Sequence, residues 1–156
     1  MKKTYSVFDV ANWFLSKEEM TPKKLQKLVY YAYSWFLTLN NDSLDNLENK
    51  LFSDEEIQAW VHGPVCPSLY KKYVEYGYNE IPKVDKHTIE VFEKEVDSTL
   101  EEVWLVYGNF DGNELESITH QEKPWKKARN GFGPLDNCTE IISDKDIYSC
   151  YIQRVG

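Results

Sequence analysis

The chain has 156 residues, with 18 Lys and Arg against 26 Asp and Glu, for a net charge of −8. That length fits one domain able to bury a core without disulfides or metals. The charge disfavours general binding to nucleic acid or to an anionic membrane surface, while an aromatic content of 15% suits contact with a basic or apolar protein partner.

Met1-Lys2-Lys3-Thr4-Tyr5 is basic, but Asp9 and Asn12 interrupt the segment behind it, so it does not read as a secretory signal. Ser6 can cap a first helix, with Asp9 in its first turn and Val7, Val10, Ala11 and Phe14 at helical spacing. Thr21-Pro22 predicts a second start, because Thr21 can cap and Pro22 stands where a missing N–H costs nothing. Behind it Leu25, Leu28, Val29, Ala32, Tyr33 and Phe36 form one stripe to about residue 39. Lys23, Lys24, Lys27 and Tyr31 lie on the other face. The pattern predicts a central, largely buried helix. Residues 40–49 are polar and acidic and read as a surface loop.

Residues 50–65 read two ways. Ser53-Asp54-Glu55-Glu56 could cap a helix. Alternatively, Leu51-Phe52 and residues 57–61 are two short strands, with Ile57, Ala59 and Val61 facing one way and Gln58 and Trp60 the other. The strands are the better reading, because Gly63-Pro64 ends the run abruptly. Pro67 opens a helix with Leu69, Tyr70, Tyr73 and Val74 inward and Gly77 as its stop. A long helix is predicted over residues 86–107, with Ile89, Phe92, Val96, Leu100, Val103, Trp104 and Tyr107 apolar and Gly108 at its end. Asp111-Gly112 reads as a turn and residues 113–120 as a short helix. Pro124 opens another, followed by a loop at Asn130-Gly131 and Gly133-Pro134. Ser143 caps a last helix through Ile147, Tyr148, Tyr151 and Ile152. The expected fold is mainly α: a compact helical domain of six to seven helices over residues 1–156, with a short β-hairpin around residues 50–62.

Few residues point to catalysis. No Gly-rich phosphate-binding motif occurs. Cys66, Cys138 and Cys150 are odd in number and far apart, and no C-x-x-C is present, so reduced thiols in a cytoplasmic protein are expected. No apolar run reaches the length of a membrane span. His62 and Cys66 have the spacing of two metal ligands on one helical face, but Gly63-Pro64 breaks that helix. The ordinary reading is a turn, with Cys66 as a small buried apolar residue. His120 beside Glu122 could do acid–base work, yet no nucleophile is marked, and a histidine at a helix C-terminus is the ordinary reading. Lys123, Lys126, Lys127 and Arg129 surround Trp125 in a pattern that can grip single-stranded nucleic acid, or that is simply a solvated face with one buried Trp. No enzyme activity, cofactor or metal is expected. Tyr30, Tyr31, Tyr70, Tyr73, Tyr76 and Tyr78 cannot all be buried with satisfied hydroxyls, so some belong to an interface.

Four blocks, in order, resemble the Panacea domain, the SocA-like antitoxin domain. They are residues 10–15 (VANWFL); residues 20–32 (MTPKKLQKLVYYA); Leu51-Phe52 with residues 57–70 (IQAWVHGPVCPSLY); and residues 115–120 (LESITH) with Pro124-Trp125 and Ala128-Arg129. The resemblance implies a mostly helical fold, often encoded by bacteria and their prophages. It implies an antitoxin that neutralises a toxin by direct contact. One member is an adaptor that delivers its toxin to a protease, so a proteolytic adaptor, or a regulator of a mobile element acting on a host protein, is the alternative. Some members carry an added DNA-binding region, for which residues 1–156 leave no room. The expected partner is therefore a toxin or host protein with a basic surface, met by exposed members of the group Trp60, His62, Tyr70, Tyr73, His120 and Trp125. Thr21, Pro22, Gly63, Pro64, Pro67 and Pro124 are expected to be structural, with Gly63-Pro64 making a tight turn and Trp60 and Trp125 packing the core.

Overall fold

The computed structural model describes residues 4–155. Met1-Lys2-Lys3, three of the five residues of the basic N-terminal segment, lies outside them. Among the described residues are seven α-helices: α1 (Val7–Leu15), α2 (Pro22–Leu39), α3 (Pro67–Tyr73), α4 (Lys94–Tyr107), α5 (Gly112–His120), α6 (Lys123–Ala128) and α7 (Asp144–Tyr151). The one sheet among them is an antiparallel hairpin of β1 (Gln58–Trp60) and β2 (Gly63–Val65). The fold is mainly α, as the patterning predicts.

The helix starts follow the expected side-chain chemistry. Ser6 and Asp9 form a reciprocal capping box at 3.0 Å in each direction. The Thr21 hydroxyl accepts from the Lys24 N–H at 3.3 Å, and Pro22 occupies the first turn of α2. Ser143 caps α7.

Helix α2 is the axis of the molecule and packs against α1, α3, α4, α5, α7 and β2. With neighbours on all sides it has no solvent face along most of its length. Lys27 and Tyr31, expected on an outer face, are buried with the apolar stripe. Tyr31 stacks on Tyr107 with ring centroids 3.9 Å apart. Its hydroxyl donates to the buried Glu122 carboxylate at 2.7 Å. Tyr151 donates to the same oxygen at 2.9 Å, which leaves Tyr30 to donate to Tyr151 at 3.0 Å. Arg154 closes the network on the other Glu122 oxygen at 2.7 Å.

Four local expectations are corrected. The hairpin does not involve Leu51-Phe52. It turns at Val61-His62 and returns through Gly63-Pro64-Val65, with Ala59 opposite Pro64. Phe52 instead bridges Tyr5. The helix predicted from residue 86 begins at Lys94, because Asp85 caps an isolated 3-10 turn (Lys86–Thr88) and Ile89 is extended. Asp111-Gly112 is no free turn: Asp111 caps α5 in a second capping box with Glu114, at 2.8 and 3.0 Å. Finally, α3 is one turn shorter than drawn. It buries Leu69 and Tyr73 but leaves Tyr70 and Val74 exposed, since only one face of so short a helix can meet α2.

Candidate functional site

That exposed edge of α3 forms one wall of a groove of about 710 Å³. The opposite wall is made by the N-terminal ends of α2 and α5. Pro67 sets the start of α3, and Gln26 fixes it in place. The Gln26 side-chain amide donates to the Cys66 carbonyl at 3.1 Å and accepts from the Cys66 N–H at 2.8 Å. Helical spacing then places Tyr70 and Val74 on one side. Gly77, at φ +57°, ends the following 3-10 turn (Val74–Tyr76) in a conformation that favours glycine, and Tyr78 beyond it is 96% exposed. From the hairpin, Trp60 meets Tyr70 edge-on, with centroids 4.9 Å apart at 62°. Tyr73 and the half-buried Phe110 complete the aromatic lining.

Lys27 lines the groove but is only 1% exposed. Its Nζ donates to the Pro64 carbonyl at 3.3 Å. Gly63 makes room for it: a Cβ there would lie 2.6 Å from Lys27 Cε and 3.1 Å from Thr119 Oγ1. The φ of +110° at Gly63 also favours glycine. Gly63 is therefore less a turn residue than the gap into which the lysine stem fits. Burial drives the Lys27 pKa from 10.5 down to about 7, against the opposing pull of Glu116.

Behind this junction lies a second cluster. Glu116 on α5 accepts from Lys23 at 2.5 Å and holds His62 Nδ1 at 3.2 Å. His120 Nε2 lies 4.0 Å from the same carboxylate. Burial pushes Glu116 up, but Lys23 and His62 outweigh it and hold it below its ordinary value. Burial lowers His120, with Glu116 opposing. The His120 ring stacks on Trp125 at 3.9 Å and 12°, and the Arg129 guanidinium lies 5.2 Å from the Trp125 ring centroid. Trp125 Nε1 donates to the Trp60 carbonyl at 2.8 Å, which ties the cluster to the groove wall.

The six residues expected at a partner surface thus divide. Trp60, Tyr70 and Tyr73 come together in the groove, while His62 and His120 gather around Glu116 with Trp125 stacked on His120. Trp60 and Trp125 are half-buried, joined to one another at the edge of the core and not within it. Glu122 is not the carboxylate of His120, since the tyrosine network has turned it inward. The basic run around Trp125 is dispersed: Arg129 is buried and donates to the carbonyls of Ala59, Gly133 and Asp136, and Lys127 pairs with Asp146 at 3.1 Å. His62 and Cys66 do not converge, because Cys66 is buried beneath α3 and its thiol is pushed up by burial. Among the described residues no group of three or more His, Cys, Asp and Glu side chains is placed to hold a metal ion. No helix among them is long and apolar enough to cross a membrane. Sequence reasoning missed Val74 and Phe110 as groove residues, and marked Tyr78 only as one of six tyrosines of which some belong to an interface. The signal for Tyr78 was its place directly after the helix-stopping Gly77.

A family model described as antitoxin SocA-like, Panacea domain, matches residues 25–126, from the first turn of α2 to the first turn of α6. The chain belongs to the SocA-like antitoxin family. No curated protein and no solved structure matches it. Within this Panacea domain the matched segment contains Trp60, the Gly63 gap, the exposed edge of α3 and the Glu116 cluster. Helices α1 and α7 lie outside the match and pack onto the same central helix.

Proposed function

We propose that the chain is an antitoxin that neutralises a toxin by direct protein–protein contact, and that the groove beside α3 is the contact surface. The observation that carries this reading is the open wall of Trp60, Tyr70, Val74 and Tyr78. Aromatic side chains left outside a core give large contact area at little entropic cost, and they are enriched at interfaces. Family membership supports the antitoxin role. The net charge of −8 supports a partner with a basic surface, with fast, salt-sensitive association. It also supports the absence of direct DNA binding. No catalytic role is proposed for His62 or His120, whose nearest carboxylate is held by Lys23. A cytoplasmic location and a single unit over residues 1–156 belong to the same proposal.

The experiment is co-expression with the product of the adjacent reading frame, with growth as the readout. The neighbour alone should stop growth, and the wild-type chain should restore it. Trp60→Ala with Tyr70→Ala should lose rescue while the protein stays folded by circular dichroism. A neighbour that is harmless alone, or that stays toxic beside the wild-type chain, defeats the antitoxin reading. Full rescue by the double variant defeats the groove as its surface.

A further inference from the structure

The groove presents charge as well as rings, and its charges are of two kinds. The lysines around it are engaged within the protein. Lys23 holds Glu116 and, at 2.9 Å, the Asn113 side chain. Lys24 donates to the Gly108 carbonyl at 2.6 Å and lies 5.5 Å over the Trp104 ring. Lys27 is buried against the Pro64 carbonyl. The carboxylates are different. Glu18, Glu19 and Glu80 line the same groove and are exposed, and no donor among the described residues reaches them. Asp111 also lines it and is exposed, meeting only the backbone at the start of α5. The field offered to an occupant is therefore negative, and it borders rings whose faces attract cations.

We infer that the groove receives a cationic, amphipathic segment of the partner protein. An arginine or lysine side chain lies against the faces of Trp60 and Tyr70, its charge met by Glu18, Glu19, Glu80 and Asp111. Adjoining apolar residues of the segment cover Tyr73, Val74 and Phe110. This deepens the proposed function and rests on the groove being the contact surface. A second copy of the chain is the poorer occupant, because a body of charge −8 repels its like. An acidic segment is poorer too, since it would have to draw Lys23, Lys24 and Lys27 away from partners they already hold.

The test uses the full chain and three labelled synthetic peptides read by fluorescence anisotropy. One alternates Arg with Leu and Phe, one has every Arg replaced by Gln, and one has every Arg replaced by Glu. The Arg peptide should bind roughly tenfold more tightly than the Gln peptide, and the Glu peptide should bind least. Combining Glu18→Gln, Glu19→Gln and Glu80→Gln should weaken the Arg peptide roughly tenfold. The control combines Asp42→Asn, Asp45→Asn and Glu48→Gln, an equal change in charge on the exposed loop after α2, and should leave binding unchanged. Equal weakening by both triple variants would reduce the effect to general attraction and overturn the inference. So would equal or tighter binding of the Gln or Glu peptide, or no binding of any peptide. The two readings fail separately. Full rescue from the toxin by the Glu18, Glu19 and Glu80 variant overturns this inference and leaves neutralisation standing. Selective peptide binding with no rescue by the wild-type chain does the reverse.

Discussion

Lys27→Met should stabilise this protein, and by an amount that depends on pH. The Lys27 side chain is buried in the N-terminal third of α2 with one hydrogen bond, at 3.3 Å, from its amino group to the Pro64 carbonyl. Burial lowers its pKa from 10.5 to about 7. Below pH 7 both folded and unfolded chains carry the proton, and the folded chain bears the whole cost of a buried charge. A gap of about 3.5 in pKa corresponds to about 5 kcal/mol. Between pH 7 and 10.5 the unfolded chain binds the extra proton, so this contribution to stability rises with pH. Above 10.5 the penalty is gone. Methionine keeps the length of the stem and removes the charge, while the lost hydrogen bond returns about 1 kcal/mol of the gain. The variant should therefore be about 3–4 kcal/mol more stable near pH 6, and nearly equal to wild type near pH 10. Urea unfolding of both proteins across that range measures the difference, and subtraction cancels the other titrating groups. A difference that is constant with pH, or a Lys27→Met protein less stable at pH 6, would refute the argument. It would mean that the ammonium is charged and satisfied where it lies.

The Gly63 gap gives a companion test. Gly63→Ala should cost about 2–5 kcal/mol in urea unfolding, from the positive φ and the collision with Lys27 together. Adding Lys27→Ala should return part of that cost and leave the backbone part; no recovery would show that the lysine stem is not the obstacle. Glu122→Ala strands the donors of Tyr31, Tyr151 and Arg154 and should cost about 3–5 kcal/mol, with Arg154→Ala alone milder at about 1–2 kcal/mol. Glu116 is held below its ordinary value, so its stabilising contribution is complete above pH 4.5 and is lost as pH falls through the lowered value. Glu116→Gln should therefore destabilise by about 1 kcal/mol at neutral pH and by progressively less on acidification, as followed by unfolding at a series of pH values.

The sequence carried the helix starts because those signals are local. Ser6, Thr21 and Ser143 accept from backbone N–H groups two or three residues on, Pro67 fixes its own φ at the first position of α3, and each is where it was expected. The buried stripe of α2 was legible for the same reason. Burial of Lys27 and Tyr31 was not, because it depends on β2, α4 and α7 closing over the far side of that helix. The hairpin was displaced because Gly63-Pro64 looks like punctuation when read alone. Its actual use, making room for a lysine far away in sequence, is a tertiary fact. At the candidate site, aromatic content marked Trp60, Tyr70 and Tyr73, but neighbours in sequence misled the pairing of His120. Glu122 stands two residues from it and faces the other way, whereas Glu116, one helical turn back, is the carboxylate it meets.

The Glu122 network also bears on how the protein is made. Its donors come from Tyr31, long synthesised by the time residue 122 is added, and from Tyr151 and Arg154, the last of these 32 residues later. A growing chain that has reached α6 therefore holds a carboxylate destined for the interior with two of its three side-chain donors missing, and Tyr30 still lacks its acceptor on Tyr151. Helices α1 to α6 can collapse on the ribosome, but they cannot close this polar core until α7 emerges.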